Sequence, residues 1–257
     1  RTASGWSIAA IEAVTGRESA RVADGPTRSL VPVEPLTSYF GARAYRDFGR
    51  RAGVGFMTTA VNRSLTDQTL RSLLPNQAYA TGADGHLFID AGRTWVASGS
   101  VAGTYVGGSE ATIDRLQRTS ARYFQRPDAP HLTLDPTARS LSGWSSELTV
   151  NRTRGRLLVD GTVWAVSPGF DSNAVGYSPA ADRIGAHLGL ILRKTEPDRW
   201  TRDRSVTFIK TYLWNFARER QSDTVNLRGN LTLHNYWNVG AATSYNLAVQ
   251  DDRLARG

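Results

Sequence analysis

Several residue types and motifs are rare in this sequence or absent from it. It has no cysteine, one methionine and only two lysines, Lys194 and Lys210, in 257 residues. Without cysteine, a disulfide framework and any thiolate metal site are excluded. The sequence also lacks a glycine-rich phosphate loop, a serine nucleophile elbow and histidines paired at metal-ligand spacing. We therefore predict no catalytic residue, no metal site and no cofactor.

Long hydrophobic runs are missing as well. The longest clean apolar stretch is Leu188 to Leu192, far below the roughly 18 residues of a transmembrane helix. Membrane-spanning β-strands are not excluded by this, because only every second residue of such a strand faces lipid. The chain also opens without an initiator methionine or a leader sequence. This favours a segment of a longer protein.

The charge is +8 and almost entirely arginine. A nucleic-acid-binding protein would concentrate this charge on one element, whereas here the arginines are dispersed along predicted strands and loops. Nucleic acid is therefore not an expected partner. A polar barrel lining, or contact with outer-membrane lipid and lipopolysaccharide, accounts better for dispersed arginine.

What the sequence does contain is a long period-two pattern. In "NLRGNLTLHNYWNVGAATSYNLAV", residues 226–249, the odd positions are largely apolar and the even positions largely polar. Alternation of this kind indicates β-strands, whose successive side chains point to opposite faces. We predict a hairpin with its turn at Asn235-Tyr236-Trp237-Asn238, its odd residues facing lipid and its turn on the periplasmic side.

The connections between predicted strands alternate between short and long, which is typical of outer-membrane barrels. Four aromatic residues lie at or beside short links, where an interfacial girdle is expected: Trp95, Trp200, Tyr236 and Trp237. We count about eleven strands, whereas bacterial barrels have even numbers. The prediction is an all-β antiparallel meander over residues 1–257, a single domain forming an incomplete part of a transmembrane outer-membrane β-barrel. A soluble β-sandwich or open sheet remains the alternative. Lys210 conflicts with the barrel prediction, because it shares its strand phase with apolar residues that would face lipid.

A long insertion at about residues 107–139 is predicted to be an external loop. It contains "SEATIDRLQRTSARYFQRPDAP", in which Ser109 is a helix N-cap residue and Pro127 ends the predicted helix. Arginine beside aromatic rings can hold sugars or lipopolysaccharide phosphates. The candidate ligand-binding residues are Arg118, Arg122, Tyr123, Phe124 and Arg126. The alternative, which we favour, is a loop that plugs or braces the barrel through ion pairs of these arginines.

Four segments resemble a bacterial family of unknown function. They are "LTSYFGARAYRDFGRRAGVGFMTTAVNR", "RTSARYFQRPDAPHLTLDPTARSLSGW", "SPGFDSNAVGYSPAADR" and "HNYWNVGAATSYNLAVQDDRLARG". The resemblance implies an outer-membrane β-barrel domain that usually follows an N-terminal carbohydrate-binding module of the family 9 type, in a much longer chain. Carbohydrate recognition is thereby implied for an absent module.

We therefore expect a non-catalytic outer-membrane segment that forms a pore or a surface anchor for a glycan-binding protein. One alternative is a secreted or surface carbohydrate-processing hydrolase, acting through loop carboxylates such as Asp128, Asp135 and Asp171. Another is an energised nutrient receptor, which would need a plug domain and an energy-coupling box that are not visible in this sequence.

Overall fold

The computed structural model describes residue 2 and residues 5–252, and its main feature is a single antiparallel sheet. Eleven strands follow one another in the order β1-β4-β5-β6-β7-β8-β9-β10-β11-β12-β13. The strand bounds in this sheet are β1 Trp6–Thr15, β4 Leu36–Phe48, β5 Ala52–Ser64, β6 Gln77–Phe88, β7 Trp95–Gly107, β8 Ser140–Arg152, β9 Leu157–Val166, β10 Arg183–Lys194, β11 Thr201–Trp214, β12 Arg220–Leu233 and β13 Asn238–Asn246. The predicted antiparallel meander of about eleven strands is confirmed.

A separate hairpin, β2 (Glu18–Asp24) and β3 (Thr27–Glu34), lies between β1 and β4 and forms its own two-stranded sheet. This hairpin was not predicted from the sequence. Its signal is the Asp24-Gly25 dipeptide at the turn, where Gly25 has a positive φ of 57°. Such a dipeptide between alternating segments is a strong hairpin signal.

The connections define two ends of the sheet. At one end, here called the turn end, the links are residues 49–51, 89–94, 153–156, 195–200 and 234–237. At the other, the loop end, the links are residues 16–35, 65–76, 108–139, 167–182 and 215–219. The predicted alternation of short and long links is confirmed, except that the link between β11 and β12 is short at the loop end.

The two loop-end helices are short. Helix α1 (Gln68–Leu73) was not predicted, and its N-cap Asp67 accepts the backbone N–H groups of Thr69 and Leu70. Helix α2 (Glu110–Gln117) begins after the predicted cap Ser109, but it ends long before Pro127. The chain leaves the helix there because the Thr119 hydroxyl donates to the Leu116 carbonyl and Tyr123 takes a positive φ of 50°. A side chain that bonds the nearby backbone competes with helix continuation.

Strand β6 runs Gln77–Phe88, and residues 89–94 form the turn before β7. The terminal hairpin is present, with Leu231 opposite Val239 and Asn230 opposite Gly240. Its turn covers residues 234–237, one residue earlier than predicted, and β13 ends at Asn246.

The sheet is open within the described residues. Strand β1 pairs only with β4 and strand β13 only with β12, so both are edges. A small hydrophobic cluster lies at the loop end, where Val61, Ala78 and Val106 of the sheet pack against Ile113 of α2. Val61 and Ile113 are fully buried. The sheet thus has a packed hydrophobic cluster at its loop end.

Candidate functional surfaces

Register divides the sheet into two faces of opposite character. One, the apolar face, exposes large hydrophobic side chains from all eleven strands. These are Ile8, Val14, Phe40, Phe56, Tyr79, Leu87, Val101, Tyr105, Trp144, Leu148, Leu157, Val163, Leu188, Leu192, Val206, Leu227, Val239 and Tyr245. Soluble monomers rarely expose contiguous apolar patches above a few hundred Å². A surface spanning eleven strands exceeds that range.

Aromatic residues line both ends of the apolar face. At the turn end they are Trp6, Phe48 and Trp95 on strands, with Trp200, Tyr236 and Trp237 in the turns. At the loop end they are Tyr79, Tyr105, Trp144, Tyr212, Trp214 and Tyr245. Two pairs of the second row are stacked, Tyr79 on Tyr105 and Tyr212 on Trp214. Between the rows the face is mostly aliphatic.

The separation of the two rows has a characteristic size. Trp95 and Tyr105 begin and end the same face of β7, about ten residues apart, which corresponds to roughly 33 Å along a strand. About ten residues is also the length that one strand of a membrane barrel needs to cross the hydrocarbon layer.

Charged side chains on the apolar face lie near its ends. At the turn end, the Arg46 guanidinium stacks on the rings of Trp6 and Phe48, with 5.8 and 5.1 Å to the ring centroids. At the loop end, Lys210 forms an ion pair with Asp223, which also pairs with Arg220. Lys210 therefore does share the apolar phase, as the sequence indicated. Its charge is neutralised by a buried carboxylate close to the aromatic row.

The polar face carries paired charges and hydroxyl groups. Arg43 lies 2.8 Å from Asp84, and the His187 Nε2 lies 3.1 Å from an Asp160 oxygen. The hydroxyl groups of Thr149 and Thr162 are 2.9 Å apart. The face is not uniformly polar, because Ile11, Met57 and Ile209 are exposed on it. Its chemistry suits contact with water.

At the loop end the polar face is covered by residues 108–139 and 167–182, here called the loop layer. The backbone of the second segment lies directly on Gly143 of β8. A Cβ atom added at Gly143 would fall 2.1 Å from the Phe170 nitrogen. The Asp171 N–H also donates to the Thr104 hydroxyl of β7. Only a glycine permits this close approach.

Two of the five predicted ligand residues are buried within the loop layer. The Arg122 guanidinium is 2.9 Å from Asp171 and donates to the Phe170 carbonyl at 2.7 Å. Burial lowers the pKa of Arg122, and the neighbouring Asp171 opposes that shift. Arg122 and Arg126 are only 3% and 6% exposed. Their hydrogen-bonding groups therefore face protein.

Arg126 organises a second polar network. It lies 3.3 Å from Asp182 and 3.0 Å from Asp252. Asn215 donates to Asp252 at 3.1 Å, and His131 Nε2 is 2.9 Å from Asp182. The network joins the insertion to the β9–β10 link, the β11–β12 link and the segment after β13. Its acidic members were missed in the sequence, because no local pattern links residues so far apart.

The other three predicted ligand residues are more accessible. Arg118 pairs with Asp114 at 2.8 Å on the helix surface, and this partner raises its pKa. Tyr123 and Phe124 are half-buried and lie in the turns after α2. The five residues thus divide between a buried brace and a partly exposed surface, and a ligand role stays a prediction.

The three loop carboxylates named for a hydrolase differ in their hydrogen-bond partners. Asp171 uses one oxygen for Arg122 and the other for the Asn173 N–H. Asp135 accepts from Thr137, which lowers the pKa of the Asp135 carboxyl. Asp128 differs, since its Oδ1 is buried with no hydrogen-bond partner among the described residues.

Neither α1 nor α2, nor any other helical segment in the described chain, has the length and hydrophobicity to cross a membrane. Across residue 2 and residues 5–252, no three histidine or acidic side chains are grouped so that they could hold a metal ion.

Comparison with known proteins gives a family without an assigned activity. No curated protein matches the chain. A family model described as "Domain of unknown function (DUF5916)" matches residues 1–254, nearly the whole chain. On this match, the chain belongs to the DUF5916 family.

Proposed function

We propose that this chain forms part of the wall of a transmembrane β-barrel in a bacterial outer membrane, serving as a pore or as an anchor for a surface glycan-binding protein. The observation that carries the proposal is the apolar face, with its aliphatic band between two aromatic rows. Lipid would remove the hydrophobic side chains of this face from water without any further protein. In an aqueous environment the same side chains would stay exposed to water, which is unfavourable.

The polar face supports the same proposal from the other side of the wall. Membrane barrels alternate apolar residues toward lipid with polar residues toward the interior. On that basis the Arg43–Asp84 and Asp160–His187 pairs would line the interior, and the loop layer would narrow its mouth. The turn end would face the periplasm, because periplasmic turns are short and external loops long.

Closing this sheet into a barrel would require further strands between its two edge strands, β1 and β13. Since neighbouring strands alternate in direction, the first and eleventh strands, β1 and β13, run the same way. A fully antiparallel closure therefore requires an odd number of further strands, and the total becomes even. Copies of this segment arranged head to tail cannot supply this, because their edges would meet in parallel.

Residue-level labelling in intact cells tests the proposal. Leu227 and Asn226 are neighbours near the middle of β12 and point to opposite faces. In the full-length protein, we expect Leu227→Cys to react with a lipid-soluble maleimide and Asn226→Cys with a water-soluble one. The Leu231→Cys and Asn230→Cys pair extends the comparison toward the turn end.

Three outcomes decide the matter. The expected pattern supports a membrane wall, and the reversed pattern would mean that the faces are assigned inside out. Reaction of both positions with the water-soluble reagent, together with recovery in the soluble periplasm without detergent, would establish a soluble sheet. Heat-modifiable gel mobility gives an independent check on a closed barrel.

A carbohydrate hydrolase remains the second candidate because of Asp128. A buried carboxylate oxygen without a hydrogen-bond partner is costly, and such groups recur at catalytic sites. Turnover of a polysaccharide panel by the full-length protein, abolished by Asp128→Asn, would favour this candidate. Asp135→Asn is the matched control, because its carboxylate serves a local turn.

A further inference from the structure

Three turns at the turn end line an open cleft of about 530 Å³ that is dominated by arginine. Arg50 and Arg51 come from the β4–β5 turn, Arg93 from the β6–β7 turn and Arg154 from the β8–β9 turn. The remaining lining is Phe88, Asp90, Ala91 and Gly92. Four cations thus face one carboxylate in a single concave site, here called the arginine cleft.

The single carboxylate is already committed to the backbone. Asp90 accepts the Trp95 N–H at 2.8 Å, and this hydrogen bond lowers the pKa of the Asp90 carboxyl. Asp90 shapes the turn that presents Arg93. It neutralises at most one of the four guanidinium groups, so the cleft keeps an excess of positive charge.

The turns are held in place by bonds between them. The Arg51 guanidinium donates to the carbonyls of Phe88 and Ile89 at 3.3 and 3.4 Å, and the Phe88 N–H donates to the Arg51 carbonyl at 2.8 Å. On the other side, the Thr153 N–H donates to the Thr94 carbonyl at 2.8 Å. These bonds fix the positions from which Arg50 and Arg154 extend.

The four arginines differ in what they already contact. Arg93 stacks on the Phe88 ring at 5.0 Å, which orients its guanidinium. Arg50 and Arg154 make no hydrogen bond and no ion pair within the described residues. Both side chains are exposed, so their guanidinium donors are open to solvent. Guanidinium groups that converge from separate turns are suited to an oxyanion, which accepts several charge-assisted hydrogen bonds at once.

We propose that the arginine cleft is a binding site for a phosphate group carried by a small organic molecule. The volume fits more than an isolated ion, since small-molecule sites measure about 300–1,000 Å³. Phe88 offers an apolar wall for the organic part. A water-soluble phosphate ester and a phospholipid head group share this chemistry, and the site does not depend on whether the apolar face contacts lipid.

The test compares two double variants of the full-length protein in dodecyl maltoside. Arg50→Gln with Arg154→Gln removes two donors of the cleft. Arg28→Gln with Arg115→Gln, on exposed loop-end positions, removes the same charge far from the cleft. The probes are glycerol phosphate, titrated by calorimetry, and phosphatidylglycerol added to the micelles, with phosphatidylcholine for comparison.

We expect saturable binding that weakens about tenfold or more in the cleft variant, because two charge-assisted hydrogen-bond donors are removed; a tenfold loss corresponds to about 1.4 kcal/mol. The loop-end variant should bind within about twofold of the parent. Binding of glycerol phosphate identifies a soluble ester, and binding of phosphatidylglycerol alone identifies a head group.

Two results would overturn the proposal. One is the absence of saturable binding with either probe. The other is an equal loss of affinity in both double variants, which would reflect net charge and not a site. Either result leaves the labelling pattern of the apolar and polar faces unaffected, so this inference and the membrane proposal fail separately.

Discussion

The loop end and the turn end of this sheet are built from the same strands, yet they are stabilised in different ways. At the loop end, connections such as residues 108–139 are long enough to fold back over the polar face. Every buried hydrophobic side chain found in residue 2 and residues 5–252 lies at that end. At the turn end the links are too short to cover either face. There the strands rely on their hydrogen-bonded ladder and on arginine–aromatic stacking.

The difference shows how loop length decides where a single sheet acquires a core. Burial of apolar groups needs a second layer, and only the loop end has chain available to provide one. The turn end and the apolar face have no such layer in the described chain. If lipid provides it, changes at the loop end should alter protein packing, whereas changes on the apolar face should alter the interaction with the bilayer.

The largest effect is expected where the loop layer holds a buried charge. Arg122→Met leaves Asp171 buried without its partner, and this should cost about 3–5 kcal/mol of unfolding free energy. Guanidinium denaturation of the full-length protein followed by tryptophan fluorescence measures the loss. Adding Asp171→Leu should restore most of it, because both charges are then removed together.

Arg118→Met is the control within the same insertion. Its ion pair with Asp114 is on the surface, so the variant should unfold almost as the parent does. Similar losses for Arg118 and Arg122 would mean that the loop layer is not a packed element.

The next effect concerns the middle of the apolar face. Leu227 lies centrally in β12, opposite Phe208 and Thr243, whereas Leu231 is close to the turn. Leu227→Arg should cost about 2–4 kcal/mol in a bilayer, and Leu231→Arg less, because the cost of a cation falls toward the interface. Asn226→Arg, on the polar face, should cost little.

Urea unfolding in liposomes measures these differences. A cost for Leu231→Arg as large as that for Leu227→Arg would contradict the depth assigned to the two positions. Equal costs for Leu227→Arg and Asn226→Arg would contradict the assignment of the faces.

A smaller effect should follow from crowding the loop layer. In Gly143→Ala the new Cβ would overlap the Phe170 backbone, and overpacking of this kind costs about 1–3 kcal/mol. Gly229→Ala is the control, because nothing lies within 4 Å of its added Cβ. Limited proteolysis at residues 167–182 should accelerate in the first variant alone. Resistance equal to that of the parent would indicate that the segment is held elsewhere.

The smallest effect belongs to the turn end and depends on pH. Asp198 accepts Lys194 Nζ at 2.6 Å and the N–H groups of Trp200 and Thr201 at 2.9 Å each. These bonds, that of Lys194 foremost, hold the pKa of Asp198 well below its ordinary value. The stabilisation is therefore complete above the unfolded pKa, about 4, and is lost as pH falls toward the folded value.

Amide exchange at Trp200 should accelerate below about pH 4, and Asp198→Asn should remove this pH dependence. As pH begins to fall below about 4, the backbone amides of the loop layer should still be protected from exchange. If Trp200 exchange is independent of pH in the parent, the carboxylate does not hold the turn.

The strand pattern was readable from the sequence because it is local. Alternation at residues 226–249 predicted the terminal hairpin, and the order of short and long links predicted the meander. Ser109 predicted the start of α2. The end of α2 was predicted wrongly. The hydroxyl bond of Thr119 and the positive φ of Tyr123, which end the helix, are features of the folded loop and are not visible as a sequence pattern.

The sequence by itself determined which residues share a face of the sheet, because side-chain direction has a fixed period of two along a strand. Only the tertiary structure decided the partners of the charged side chains. Arg126 meets Asp182 and Asp252, and Arg122 meets Asp171, through long-range folding of the loops. Such contacts depend on where the chain returns in space, and no local pattern in the sequence records that position.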